Sequence, residues 1–317
     1  MATSFRFFVV AAALAAAAAA PGTAGAYGWP LKPFNAQHPV RGFFGDPRIG
    51  DYRHADVGSL HFGVDVSAPD GTAVYATTSG RVVIEAVRPE VVSIRAADGR
   101  TVFAYWHVVP AVANGTYAVA YRTVVGHIAR GWGHVHFAEF RDHRYLNPLR
   151  PGAMQPYGDE TNPRVHGIAF ERDGRPVGRH VHGRVDIVVE PLDETPVAVP
   201  APWNAKPVMP AFVEWRIARR GVSMPWRVAF DARTVLPTTP FRAVYARWTR
   251  QNRRDSRGRY RLLLAHGFDT SSLQPGSYRV EVRLADTRGN RGFGAARFAV
   301  VRPGSSITVK SERKESP

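Results

Sequence analysis

From Val82 onward the chain is a succession of short β-branched runs, each cut off by glycine, proline or aspartate. RVVIEAV, VVSIRAADGRTVFAYWHVV, GRVDIVVEPLD, GSYRVEVRLADTRGN and ARFAVV all have this form, and helix signals are scarce. Such runs alternate side chains between the two faces of a sheet, and the residues between them reverse the chain. The pattern therefore predicts an all-β protein. The clearest hairpin pairs VVSIRA with TVFAYW across Ala97, Asp98, Gly99 and Arg100. With no cysteine in the sequence, disulfides are excluded, and any metal must be held by histidine and carboxylate.

At 317 residues the chain exceeds one average domain. Residues 1–26 read as a secretory leader: Arg6 precedes an apolar run from Phe7 to Ala20, and Ala24, Gly25 and Ala26 form a small-residue cleavage pattern. That run is too short and alanine-rich for a good membrane anchor. No later stretch approaches the roughly 20 apolar residues of a membrane helix, so no transmembrane segment is expected and the product should be secreted, outside the cell or in its envelope. A proline- and glycine-rich stretch, PLRPGAMQPYGDETNPR, divides the remainder into units at 27–155 and 156–302, with a polar, disordered tail at 303–317. A second proline-rich stretch, 191–210, reads as a long connection inside the second unit, because GRVDIVVEPLD needs later strands as partners.

The histidines carry the chemistry. His61 and Asp65 stand in HFGVD, His107 in YWH, and His134 and His136 in HVH. On a strand, HVH puts both imidazoles on one face about 7 Å apart, so one can bind a metal and the other lie beside it. On a straight strand His61 and Asp65 would be about 13 Å apart and could not share an ion. The site therefore requires a bend near Gly63, which glycine permits. Two imidazoles and one carboxylate leave a fourth position open on zinc, the pattern of a catalytic site. Two further histidines could then move the water's proton and stabilise an oxyanion. By spacing alone, structural roles for these histidines stay open.

The order and context of these motifs resemble the lysostaphin/LytM-type M23 peptidases. HFGVDVSAPDGTAVYATTSGRV, AYWHVVP and GHVHFAEF follow one another as in that family, preceded by GFFGDPR, over about residues 36 to 150. The resemblance implies one zinc per chain on His61, Asp65 and His136, with His107 and His134 as catalytic histidines. It also implies an antiparallel-sheet catalytic domain, a groove floored by that sheet, and hydrolysis of peptide cross-links in bacterial peptidoglycan. Some relatives lose ligands and serve as non-catalytic wall-binding or hydrolase-activating proteins, whereas all five motif positions are filled here. Two departures stand out: the stretch before H-x-H is short, trimming one groove wall, and Ala138 stands where an acidic residue is usual, with Glu139 one place later. The run SLQPGSYRVEVRLADTRGNRGFGAARFAV resembles the last hairpin of immunoglobulin-like sandwiches, which gives the second unit that expected fold.

Other candidates have plainer readings. HVHGRVD offers His180, His182 and Asp186 in a second metal-like pattern, but its context is that of a surface strand. His54 and His127 can line the groove. Trp132 between two glycines is a candidate substrate wall, and of Tyr105 and Trp106 one should pack inward. Asp70 reads as a turn residue. Between 201 and 300 there are 19 Lys plus Arg against 6 Asp plus Glu, within a formal charge of +16 for the whole chain. An exported protein so charged is drawn to anionic wall polymers, and no nucleic-acid partner is expected. RWTRQNRRDSRGRYR reads as a solvated hairpin loop or as part of that basic surface.

Overall fold

The computed structural model describes residues 25–50 and 58–302. The expected leader except its last two residues, the expected tail at 303–317 and His54 lie outside them. In the first half the strands are, in chain order, β1 Val40–Gly42, β2 Pro47–Ile49, β3 Gly58–Leu60, β4 Val64–Ser67, β5 Ala73–Tyr75, β6 Gly80–Val83, β7 Val91–Ala96, β8 Thr101–Trp106, β9 Val108–Pro110, β10 Tyr117–Ala118, β11 Val124–Ile128, β12 His134–Arg141 and β13 Arg144–Leu146. Seven of them form an antiparallel sheet in the order β1-β4-β12-β8-β7-β6-β10, with β13 also on β12. The expected hairpin is β7–β8, with Val91 opposite Trp106.

Period-two alternation explains this sheet. Val64 and Val66 on β4, Phe103 and Tyr105 on β8, and Val135 and Phe137 on β12 all point to one face and are almost completely buried. Phe137 meets Phe103 at 5.8 Å and Tyr105 at 5.5 Å between ring centroids. Each such side chain contributes about 1.5–3 kcal/mol through burial. Glu139 shares that face and is fully buried, bonded by Tyr27 Oη and by both Arg150 Nη atoms at 2.7 Å. Removing Arg150 would leave an uncompensated buried charge, at a cost of about 3–5 kcal/mol. The intervening residues, Asp65, Ala104, Trp106, His134, His136 and Ala138, fall on the opposite face by the same alternation.

The second half adds β14 Arg164–Arg172, β15 Arg175–Pro176, β16 His180–Val181, β17 Arg184–Leu192, β18 Phe212–Arg219, β19 Val222–Ser223, β20 Arg227–Asp231, helix α1 Phe241–Val244, β21 Leu262–Asp269, β22 Gly276–Ala285 and β23 Arg291–Val300. They make a four-stranded sheet, β15-β14-β17-β21, and a six-stranded one, β16-β23-β22-β18-β19 with β20 on β18. Phe170 against Phe298 at 4.9 Å and Trp215 against Phe268 at 6.1 Å join the two sheets. The proline-rich stretch connects β17 to β18, one strand from each sheet. No helix among the described residues is long and apolar enough to cross a membrane.

The two sets of strands do not hang on a loose linker. One hydrophobic cluster runs through both. Tyr245 Oη donates to Gly45 O at 2.7 Å, Met209 N to Asp46 Oδ1 at 2.8 Å, and Asn147 Nδ2 to Ala232 O at 2.9 Å. Gly45 and Asp46, which precede the first histidine, are thereby bonded to residues of the second half.

Candidate metal centre

His61 lies between β3 and the bend at Gly63, and Asp65 lies on β4. Directly across from Asp65, in register, stands His136 on β12. His61 Nε2 is 2.7 Å from His136 Nδ1 and 3.1 Å from Asp65 Oδ1, and His136 Nδ1 is 3.1 Å from the same oxygen. Among the described residues this is the one group of three histidine or acidic side chains whose ligand atoms all lie within 4.8 Å of one another. The triangle is a few tenths of an ångström tighter than the edge of about 3.3 Å that bonds of 2.0–2.1 Å set around tetrahedral zinc.

The donor set also has the right charge state. His61 Nδ1 donates to Phe43 O at 2.8 Å, which turns the Nε2 lone pair toward the cluster. Burial, with Arg48 adding to it, lowers the His61 pKa to about 3, and burial likewise lowers that of His136. Burial opposes ionisation of Asp65, but His61, His134 and Arg48 outweigh it and hold the carboxyl well below its ordinary value. Two neutral imidazoles and one carboxylate are what a divalent ion requires. His136 differs from His61 in its outer contacts: its Nε2 is buried with no hydrogen-bond partner, and the rings of Phe62 at 4.6 Å and Trp106 at 5.9 Å hold it in place.

Two glycines make this approach possible. A Cβ on Gly63 would lie 2.4 Å from Phe137 O and 2.8 Å from the His136 ring. A Cβ on Gly42 would lie 2.5 Å from Asp65 Oδ2 and 2.6 Å from Arg48 Nη2. At Gly63 the need is therefore space, not an unusual φ.

The other two histidines flank the triad. His134 Nε2 is 3.4 Å from Asp65 Oδ1, and its ring centroid is 4.8 Å from that of His107. His107 follows β8 at φ 64°, a conformation that costs a residue with a side chain of order 1–3 kcal/mol and often marks a working position. Its ring stacks on Trp132 at 3.5 Å with planes 12° apart, and its Nδ1 is buried without a partner. Burial, followed by the neighbouring His134, brings its pKa down to about 3. Asp70 is indeed a turn residue, and it does more: its carboxylate accepts from Gly131 N at 2.6 Å and Gly133 N at 2.8 Å, which fixes the loop carrying Trp132.

A cleft of about 380 Å³ opens over these groups, with Trp106, Trp132 and Trp203 among its walls. Tyr105 packs inward and donates or accepts at Thr77 Oγ1, whereas Trp106 faces the cleft. A second hollow of about 210 Å³ shares Trp106 and continues over Ser93, Ala104 and Ala138 along the sheet. His127 is exposed on β11 and lines neither.

Three contributors carried too little signal in the sequence. Arg48 Nη2 bonds Asp65 Oδ2 at 2.8 Å; the GFFGDPR motif contained it without revealing its partner. Arg41 Nη2 lies 2.6 Å from His134 Nδ1, and its guanidinium stacks 4.0 Å from the Trp203 ring. Arg41 and Trp203 are brought together only by packing of the two halves. The basic stretch 247–261 is also more than a free loop. Arg259 pairs with Glu190, Arg261 with Glu171, and Arg253 Nη2 donates to Gly50 O at 3.0 Å, while Gln251 and Asn252 line the cleft.

The second H-x-H pattern builds no such centre. His180 and His182 are exposed, and the Asp186 carboxylate is engaged by Gly267 N at 2.8 Å and His266 Nδ1 at 2.9 Å.

No protein-family model and no curated protein matches the chain. Solved structures do. The catalytic domain of the antimicrobial peptidase lysostaphin from Staphylococcus simulans is 22% identical, with 33% of this chain and 86% of that one covered and a TM-score of 0.28. The catalytic domain of a prophage-encoded M23 protein from Enterococcus faecalis is 24% identical over 39% of this chain and 98% of that one, with a TM-score of 0.30. A zinc-containing peptidase from Vibrio cholerae is 22% identical over 38% of this chain and 39% of that one, with a TM-score of 0.32.

Proposed function

We propose that this chain is a secreted M23-type zinc metalloendopeptidase that hydrolyses peptide cross-links of bacterial peptidoglycan. The observation that carries this reading is the meeting of His61 Nε2, Asp65 Oδ1 and His136 Nδ1 at 2.7–3.1 Å, with two more histidines beside them. A zinc ion there would supply an acidified water and a Lewis acid for the scissile carbonyl.

The chain's own residues do the rest. His107, its ring fixed by Trp132 and kept neutral by burial, is the base that takes a proton from the attacking water. His134 faces Asp65 from the other side and supplies an N–H to the oxygen that gains charge as the carbonyl turns tetrahedral. Arg48 holds Asp65 by its second oxygen, which keeps Oδ1 directed at the centre. The hollow along the sheet face takes the extended peptide. The basic second unit, which we read as an immunoglobulin-like sandwich, adds attraction to anionic wall polymers.

The test is zinc analysis of the purified protein together with mass spectrometry of digested sacculi. About one zinc per chain and new peptide ends are expected, and His136→Ala should lose both. Zinc without cleavage of any cross-link type would instead mark a wall-binding module. Full activity in metal-free protein would refute the reading.

A further inference from the structure

Beside the metal centre one guanidinium lacks a counter-ion. Arg41 projects from β1 into the cleft, with Nη2 2.6 Å from His134 Nδ1, an atom that also lies 2.9 Å from Trp132 O, and its guanidinium 4.0 Å from the Trp203 ring. It forms no ion pair with any described residue, because the nearby acids are committed elsewhere. Asp65 pairs with Arg48 at 2.8 Å, and Asp70 accepts from Gly131 N and Gly133 N. Removing a cation from water without pairing it is costly, and a binding site can recover that cost when the ligand brings the anion. Guanidinium offers five N–H groups in a fixed fork that matches a carboxylate.

What holds the fork in place comes from the other half of the molecule. Trp203 sits on the connection between β17 and β18, and Lys206 Nζ lies 4.8 Å from the same ring. An aromatic face beneath Arg41 fixes its plane without using its donors. Arg48 is no equivalent candidate, since Asp65 already occupies it.

We propose that Arg41, clamped by Trp203, is a subsite for a carboxylate of the substrate, one imidazole away from the metal centre, so that the preferred peptide carries a free carboxylate close to the scissile bond. This rests on the peptidase reading above. The second unit then shapes specificity as well as adding charge.

The probe is a pair of preparations: cross-linked muropeptides with free carboxylates, and the same muropeptides after carbodiimide amidation with ammonia. Stopped-flow tryptophan fluorescence reads binding before turnover, and initial rates give kcat/KM. Salt of about 0.3 M screens the general pull of a basic chain. The wild-type protein should bind the acidic form at least about tenfold tighter. Arg41→Gln keeps an N–H for His134, and it should bind both forms alike with unchanged zinc content and Tm. Trp203→Ala should weaken the preference severalfold and Trp203→Phe should restore it, a pair that stands even where Arg41→Gln does not fold. A preference without cleavage upholds the subsite and sinks the peptidase reading. Equal binding of both forms by the wild type, or a preference that survives Arg41→Gln, overturns the subsite whether or not cleavage occurs.

Discussion

The tripeptide His-Val-His occurs twice in this chain, and the two copies have opposite fates. His134 and His136 stand on β12, inside an eight-stranded sheet, with Asp65 opposite one of them in register. His180 begins β16, a two-residue strand, and His182 follows it; both are exposed, and Asp186 has turned to other partners. Spacing is the same in both, so spacing does not make the site. What differs is which side chain the neighbouring strand presents, and whether the surroundings exclude water.

The largest contrast comes from deleting ligands. Asp65→Ala or His136→Ala should weaken zinc binding by more than the 10–100-fold typical of an outer-sphere change and abolish turnover. His180→Ala and His182→Ala should leave both unaltered. Zinc titration and muropeptide assays on the four variants read this directly, and equal losses in the two pairs would erase the distinction.

Next is the histidine beside the triad. His134→Ala should keep its zinc yet lose about 10²–10⁴-fold in kcat, the range for a positioned acid–base or oxyanion group. Loss of the metal with the activity would make His134 a ligand instead.

The glycine beside each copy sharpens the comparison further. Gly63→Ala puts a Cβ 2.4 Å from Phe137 O, which should cost about 1–3 kcal/mol in unfolding experiments and reduce zinc occupancy. Gly183 has φ +64° and nothing within 4 Å of a built Cβ, so Gly183→Ala should cost about 1–2 kcal/mol with zinc occupancy untouched.

The smallest expected effect separates two buried carboxyls by the sign of their pH dependence. Asp65, held below its ordinary 3.8 by His61, His134 and Arg48 against the opposing effect of burial, contributes stability that is present above pH 3.8 and lost as pH falls through its folded value. Asp193 is raised to about 8 by burial, with Asp159 and Asp286 adding to it. Its contribution is full below pH 3.8 and is lost as pH rises through about 8. In EDTA, the Tm of Asp193→Asn should therefore decline less than wild type between pH 5 and pH 9. An unchanged alkaline decline would contradict the assignment.

The strands were legible in the sequence because alternation and turn residues are local signals; the β7–β8 hairpin is the plainest case. The bend in HFGVD was legible as well, since a shared ion demanded it. Its physical reason was not, because Gly63 is excluded from having a side chain by Phe137, which is distant in sequence. Arg41 and Trp203 were invisible for the same reason, being 162 positions apart and joined by packing alone. The basic stretch 247–261 looked like free charge because sequence shows arginines without showing Glu171 and Glu190 beside them. Composition reports charge; only tertiary contacts report which charges are spent.

The most direct test is anomalous diffraction at the zinc edge from crystals grown with the metal. A single strong peak about 2.0–2.2 Å from His61 Nε2, Asp65 Oδ1 and His136 Nδ1 is the predicted result. A peak at His180 and His182, or none at the triad in zinc-saturated crystals, would contradict the account.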